Sequence, residues 1–185
     1  MKINKLYLII SIINCTFGFA QNSIGSKINT KINNDFISSI KSFVGKLNPE
    51  EYKETRKEIL KELKVEIPEE KAILIHFYQY GVNCYEYGLK ERNALGVIQN
   101  TIKISSKISK ENNTIDFFIY TSNALHKERI QDKNIFILDS GFFEKNIFTL
   151  KENCRAFFIL KTNGEFMKYY GSDYFTEVSN FLKKQ

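Results

Sequence analysis

The side chains best suited to chemistry are three cysteines, Cys15, Cys84 and Cys154, and two histidines, His76 and His126. A thiolate can attack a disulfide or bind a soft metal, and a neighbouring imidazole can act as its base. Spacing restricts both options. No two cysteines stand as Cys-x-x-Cys, so neither a zinc ribbon nor a two-cysteine relay has its ligands close in sequence. No metal or cofactor is expected. Four tyrosines, Tyr78, Tyr80, Tyr85 and Tyr87, crowd around Cys84. Aromatic rings with a polar handle suit a contact surface when exposed, which makes Tyr80 and Tyr87 candidate binding residues. The other account of these tyrosines is that they cover a strand end.

The chain has 185 residues, 27 Lys+Arg against 21 Asp+Glu, and a formal charge of +6. That length supports one domain with a full core. The lysines are scattered among Ile and Asn without a stripe, so a solvated basic surface is expected and no nucleic-acid partner. Lys2 and Lys5, the apolar run from Leu6 to Ile13, and Gly18 and Ala20 before Gln21 form a secretory signal with cleavage expected after Ala20. The run is too short to span a bilayer, so no stable membrane insertion is expected once it is removed. Export to a periplasmic or secreted location follows, and the cut removes Cys15. Lipidation at Cys15 is disfavoured by the bulky polar Asn14. Cys84 and Cys154 then remain in a compartment that permits disulfides.

Residues 21–33 read as a flexible lead-in, and 34–70 as a helical extension. Phe36, Ile37, Ile40, Phe43, Val44 and Leu47 fall on one helical face, and Asn48-Pro49-Glu50-Glu51 carries the signals of a capped second helix. Residues 71–185 form the main domain. Ala72 to Tyr78 is a nearly unbroken apolar run, expected to be a central strand. Tyr85 to about Ile108 reads as a long helix weakened by Gly88 and Gly96. Thr114 to Tyr120 and Asn134 to Leu138 read as strands, with a short helix over Ser122 to Gln131 between them. Arg155 to Lys161 and Glu165 to Tyr170 flank Asn163-Gly164 as a hairpin, and Ser172 is expected to cap a last helix.

This order is α/β with a mixed sheet, and over 71–184 it resembles the thioredoxin-like fold: a three-layer structure with a mixed central sheet, here with an N-terminal helical extension. The resemblance rests on the strand ending His76-Phe77-Tyr78, on a cysteine shortly after it at the mouth of a helix, and on Ala156-Phe157-Phe158-Ile159-Leu160 leading to Asn163-Gly164 and a last helix. It implies a redox site at Cys84, with His76 where the family holds a buried acid. It also brings out two departures. Tyr87 stands where a resolving cysteine belongs, and Ala156 stands where the family has its cis-proline. A thiol at a helix N-terminus is more acidic than a free one.

By the same resemblance Cys154 lies beside the helix mouth, so Cys84 and Cys154 are expected to be neighbours and bonded. Two functional readings stay open. One is an exported single-cysteine thiol-disulfide protein, with Cys84, Cys154 and His76 as its catalytic residues and a protein or thiol as partner. The other is a noncatalytic thioredoxin-fold module that binds a protein partner through Tyr80 and Tyr87.

Overall fold

The computed structural model describes residues 27–172 and 174–184. The expected signal segment 1–20, with Lys2, Lys5, Cys15 and the cut after Ala20, lies outside the described residues, as does the first half of the lead-in. In chain order the elements are α1 (Asn34–Ser39), β1 (Lys41–Lys46), α2 (Pro49–Leu63), β2 (Ala72–Tyr78), α3 (Glu91–Glu111), β3 (Thr114–Tyr120), β4 (Phe136–Leu138), α4 (Phe142–Asn146), β5 (Arg155–Leu160), β6 (Glu165–Tyr170) and α5 (Phe175–Lys183). The six strands form one open mixed sheet in the order β1-β6-β5-β2-β3-β4. β2, β3 and β4 run parallel, and β2–β5, β5–β6 and β6–β1 are antiparallel.

Because side chains alternate across a strand, β2 serves two cores at once. Ile73, Ile75 and Phe77 pack with Ile59 and Leu63 of α2 and with Phe143 and Phe148 around α4. On the opposite face Leu74 joins Tyr174, Val178 and Phe181 of the last helix region, while Tyr78 packs with Ile98 of α3 and Phe118. A strand covered on both faces has no use for polar alternation, which explains the apolar run.

The segment expected to be one helix over 36–47 instead divides into α1 and an edge strand. β1 pairs with β6 from Lys41↔Tyr170 to Lys46↔Glu165. The apolar spacing fits a helix, but Val44 is 66% exposed and the other residues of that stripe except Phe36 are not buried. What forms β1 is the open backbone edge of β6, which needs partners. Gly45, a poor helix residue, fits the strand closely: a Cβ there would stand 2.7 Å from the Phe166 ring.

Other boundaries moved less. The capping box at Asn48 and Glu51 is formed, with Pro49 in the first turn of α2. The helix expected from Tyr85 stops after one 3-10 turn at Gly88 and restarts at Glu91. Ser122 to Gln131 holds turns and a 3-10 segment at Lys127–Arg129 in place of a helix. In the hairpin, the positive φ falls on Gly164 alone. Tyr174 takes the N-cap position of α5, so Ser172 does not cap it.

Candidate functional site

At the C-terminal end of β2, Cys84 and Cys154 are joined by a disulfide across 70 residues of sequence, with Cα atoms 5.4 Å apart. The pair expected to be neighbours is bonded, yet its surroundings differ from expectation. Cys84 caps a single 3-10 turn, and α3 begins only at Glu91, so the dipole of the long helix does not act on its sulfur. Both residues are buried, Cys84 at 2% and Cys154 at 5% exposure.

Three asparagines tie together the segments that carry the bond. Isolated bridges pair Asn29 with Asn83 and Asn83 with Asn153, all parallel. The Asn29 backbone N–H donates to Val82 O at 2.7 Å, Cys84 N–H donates to Asn29 O at 2.9 Å, and Asn29 Nδ2 donates to Asn83 Oδ1 at 2.9 Å. Residues around Asn29 are therefore held by the site, in contrast to the flexible lead-in expected over 21–33. Gln79 closes the far side, donating from Nε2 to Leu150 O at 2.7 Å and Asn153 O at 2.8 Å. Asn153 in turn donates to the Ser39 carbonyl at 2.7 Å, tying α1 to the same knot.

Beside Cys154, the first residue of β5 is a buried arginine. Arg155 donates through Nε and Nη2 to Glu86 Oε2 at 3.0 and 2.7 Å, and its guanidinium lies 3.7 Å from the Tyr78 ring centroid. Burial works against its charge more than any one neighbour favours it, but the Glu86 carboxylate together with Tyr78 and Tyr174 raises the Arg155 pKa. A charge this deep needs both partners, since an unpaired buried ion is costly.

His76 has no exposure and both ring nitrogens are engaged: Nδ1 is 2.7 Å from Tyr174 Oη and Nε2 is 2.6 Å from Ser105 Oγ. Ser105 donates to Asp116 Oδ2 at 2.6 Å. That donation leaves Ser105 as acceptor of the His76 Nε2 proton, so Tyr174 must donate to Nδ1. The chain of bonds thus points one way, from Tyr174 to Asp116. Burial, and secondarily the Arg155 charge, push the His76 pKa down to about 3. Ser105 is fully buried and its hydroxyl bonds Asp116 directly, so this trio presents no nucleophile to solvent. His76 lies within the layer between β2, α3 and α5 and forms no hydrogen bond with either cysteine.

Tyr87 is 43% exposed and its ring stacks on His126 at 4.8 Å, while its carbonyl accepts from His126 Nε2 at 3.3 Å. Tyr80 is half-buried. Among the described residues no group of three or more His, Cys, Asp or Glu side chains is placed to hold a metal, and no helix is long and apolar enough to cross a membrane. A concavity of about 720 Å³ lies along α2 between exposed lysines such as Lys53, Lys57 and Lys64, and shares no residue with the disulfide site.

Sequence reasoning missed Arg155, Glu86 and the asparagine ladder. Two signals were present: Asn83-Cys84 and Asn153-Cys154 are matching dipeptides, and a lone Arg155 opens an otherwise apolar run. Neither a family model, nor a curated protein, nor a solved structure matches the chain.

Proposed function

We propose that this protein is an exported thioredoxin-like module that binds a protein partner and uses Cys84–Cys154 as a structural clasp, without thiol exchange in its resting state. One observation carries the reading: both bonded cysteines are nearly inaccessible, and the segments that carry them are tied by the Asn29–Asn83–Asn153 ladder. Exchange begins when an outside thiolate reaches a disulfide sulfur. Here that approach requires the packing around both sulfurs to open. The contact surface then falls to Tyr87, 43% exposed, and to the half-buried Tyr80 in the loop after β2.

The competing reading, exchange through Cys84, is favoured by the cations next to the sulfurs. Arg155 adjoins Cys154 in the chain, and Arg129 lines the same small cavity as both cysteines. Either cation would favour a thiolate once the bond is broken. Incubating native protein with reduced glutathione and recording intact mass separates the two. A clasp yields no glutathione adduct until denaturant is added. An adduct on Cys84 or Cys154 under native conditions overturns the proposal.

A further inference from the structure

Tyr78, Cys84, Arg129, Cys154 and Arg155 all border one cavity of about 30 Å³. Its polar walls are unusual in what they leave unpaired. Arg155 Nη1, Arg129 Nη1 and Tyr78 Oη are each fully buried with no hydrogen-bond partner. The Arg155 side chain is only 4% exposed. Glu86 is the one carboxylate of the wall, and its Oε2 already accepts two bonds from Arg155. His126 also borders the cavity, but its nitrogens face Glu128 Oε1 and the Tyr87 carbonyl. Ala94, Ile98 and Ile130 supply apolar surface.

Arg129 Nε also lies 4.0 Å from Glu128 Oε1, but that carboxylate is 63% exposed and outside the wall, so inside the cavity two guanidiniums face Glu86 alone, and buried donors left unpaired are costly. The missing partner must be an acceptor. The volume limits its size, because a single water already needs roughly 10–15 Å³. A water could accept from two of the donors, but it would bring two hydrogens of its own and no charge. A monatomic anion has no hydrogens to place and brings the negative charge that two guanidiniums in one wall favour.

We propose that this cavity is a binding site for one halide ion, held by Nη1 of Arg129, Nη1 of Arg155 and the Tyr78 hydroxyl behind the Cys84–Cys154 bond. The site does not depend on whether the disulfide is a clasp or an exchange centre. Because the ion binds only the folded chain, it stabilises that chain by an amount growing with the logarithm of its concentration above the dissociation constant.

Bromide is the probe. Crystals of the oxidised protein grown in sodium bromide should give an anomalous peak inside the cavity. Melting of the full chain should occur at a higher temperature in sodium bromide than in sodium gluconate of equal ionic strength, since gluconate is too large to enter. Arg129→Gln, which leaves the Arg155–Glu86 pair in place, should abolish that difference. Tyr78→Phe should reduce it, and serves if Arg129→Gln does not fold. A solvent oxygen without anomalous signal in the cavity overturns the proposal, as does a bromide-dependent shift of the same size in both variants and the parent protein.

Discussion

Gly81 lies so close to Asn153 that a Cβ built on it would stand 2.3 Å from the Asn153 carbonyl carbon and 2.5 Å from the Cys154 nitrogen. Both neighbours are backbone, which cannot rotate away as a side chain can. The glycine is what lets the loop after β2 press against the strand entering β5, and so lets Cys84 reach Cys154. Gly81→Ala should therefore push the two loops apart, at a cost of about 1–3 kcal/mol as for other overpacked sites. The check is urea unfolding combined with alkylation of the native protein. An unchanged midpoint with both cysteines still protected would mean that the contact is not the constraint described.

The clasp itself should act mainly through the unfolded chain. A bond closing a loop of 70 residues contributes on the order of 4 kcal/mol by loop entropy. Cys84→Ser, Cys154→Ser and the double variant should lose similar amounts, because each removes the same bond. Equilibrium denaturation of the three compares them directly. A double variant losing nearly twice as much as either single one would show that the side chains matter apart from their bond.

What could be read in advance follows from what is local. β2 and β3 announce themselves as apolar runs because their burial is imposed along their whole length, and Asn163-Gly164 marks its hairpin because the turn needs its own residue. β1 is different. Phe36 to Leu47 is compatible with a helix by spacing, and only the unpaired edge of β6, more than a hundred residues away, makes it a strand. The site follows the same division. Cys84 and Cys154 could be singled out as residue types, but the Arg155–Glu86 pair spans 69 residues and the Asn153–Ser39 bond 114. Such contacts leave no periodic trace, and a buried Arg155 looks in sequence like any strand-edge charge.

His76 should make stability depend on pH. Its ordinary pKa of 6.5 falls to about 3 in the folded protein through burial and the Arg155 charge. The unfolded chain therefore takes up a proton below about 6.5 that the folded one refuses until about 3. Stability is fully present above 6.5 and is lost as pH falls between those values, by on the order of 4 kcal/mol. Unfolding free energies at neutral pH and near pH 4 should differ more for the parent than for His76→Gln, which does not titrate there. Equal differences would mean that another group carries the pH response.

The last prediction concerns Arg155 and Glu86, where the sign of an effect distinguishes a paired charge from a packing residue. Glu86 Oε2 accepts two bonds from a guanidinium that is almost wholly buried and stacked on Tyr78. Glu86→Gln keeps the shape but leaves Arg155 without a counter-charge, so it should destabilise by about 3–5 kcal/mol, as breaking buried pairs does. Arg155→Met strands Glu86 less severely, because that carboxylate keeps some access to solvent. Replacing both, Glu86→Gln with Arg155→Met, removes the buried charge altogether and should recover much of what Glu86→Gln alone loses. A double-mutant cycle by urea unfolding measures the coupling. If the double variant is less stable than Glu86→Gln alone, the arginine stabilises the site through its packing on Tyr78, and the ion pair is secondary to that stack.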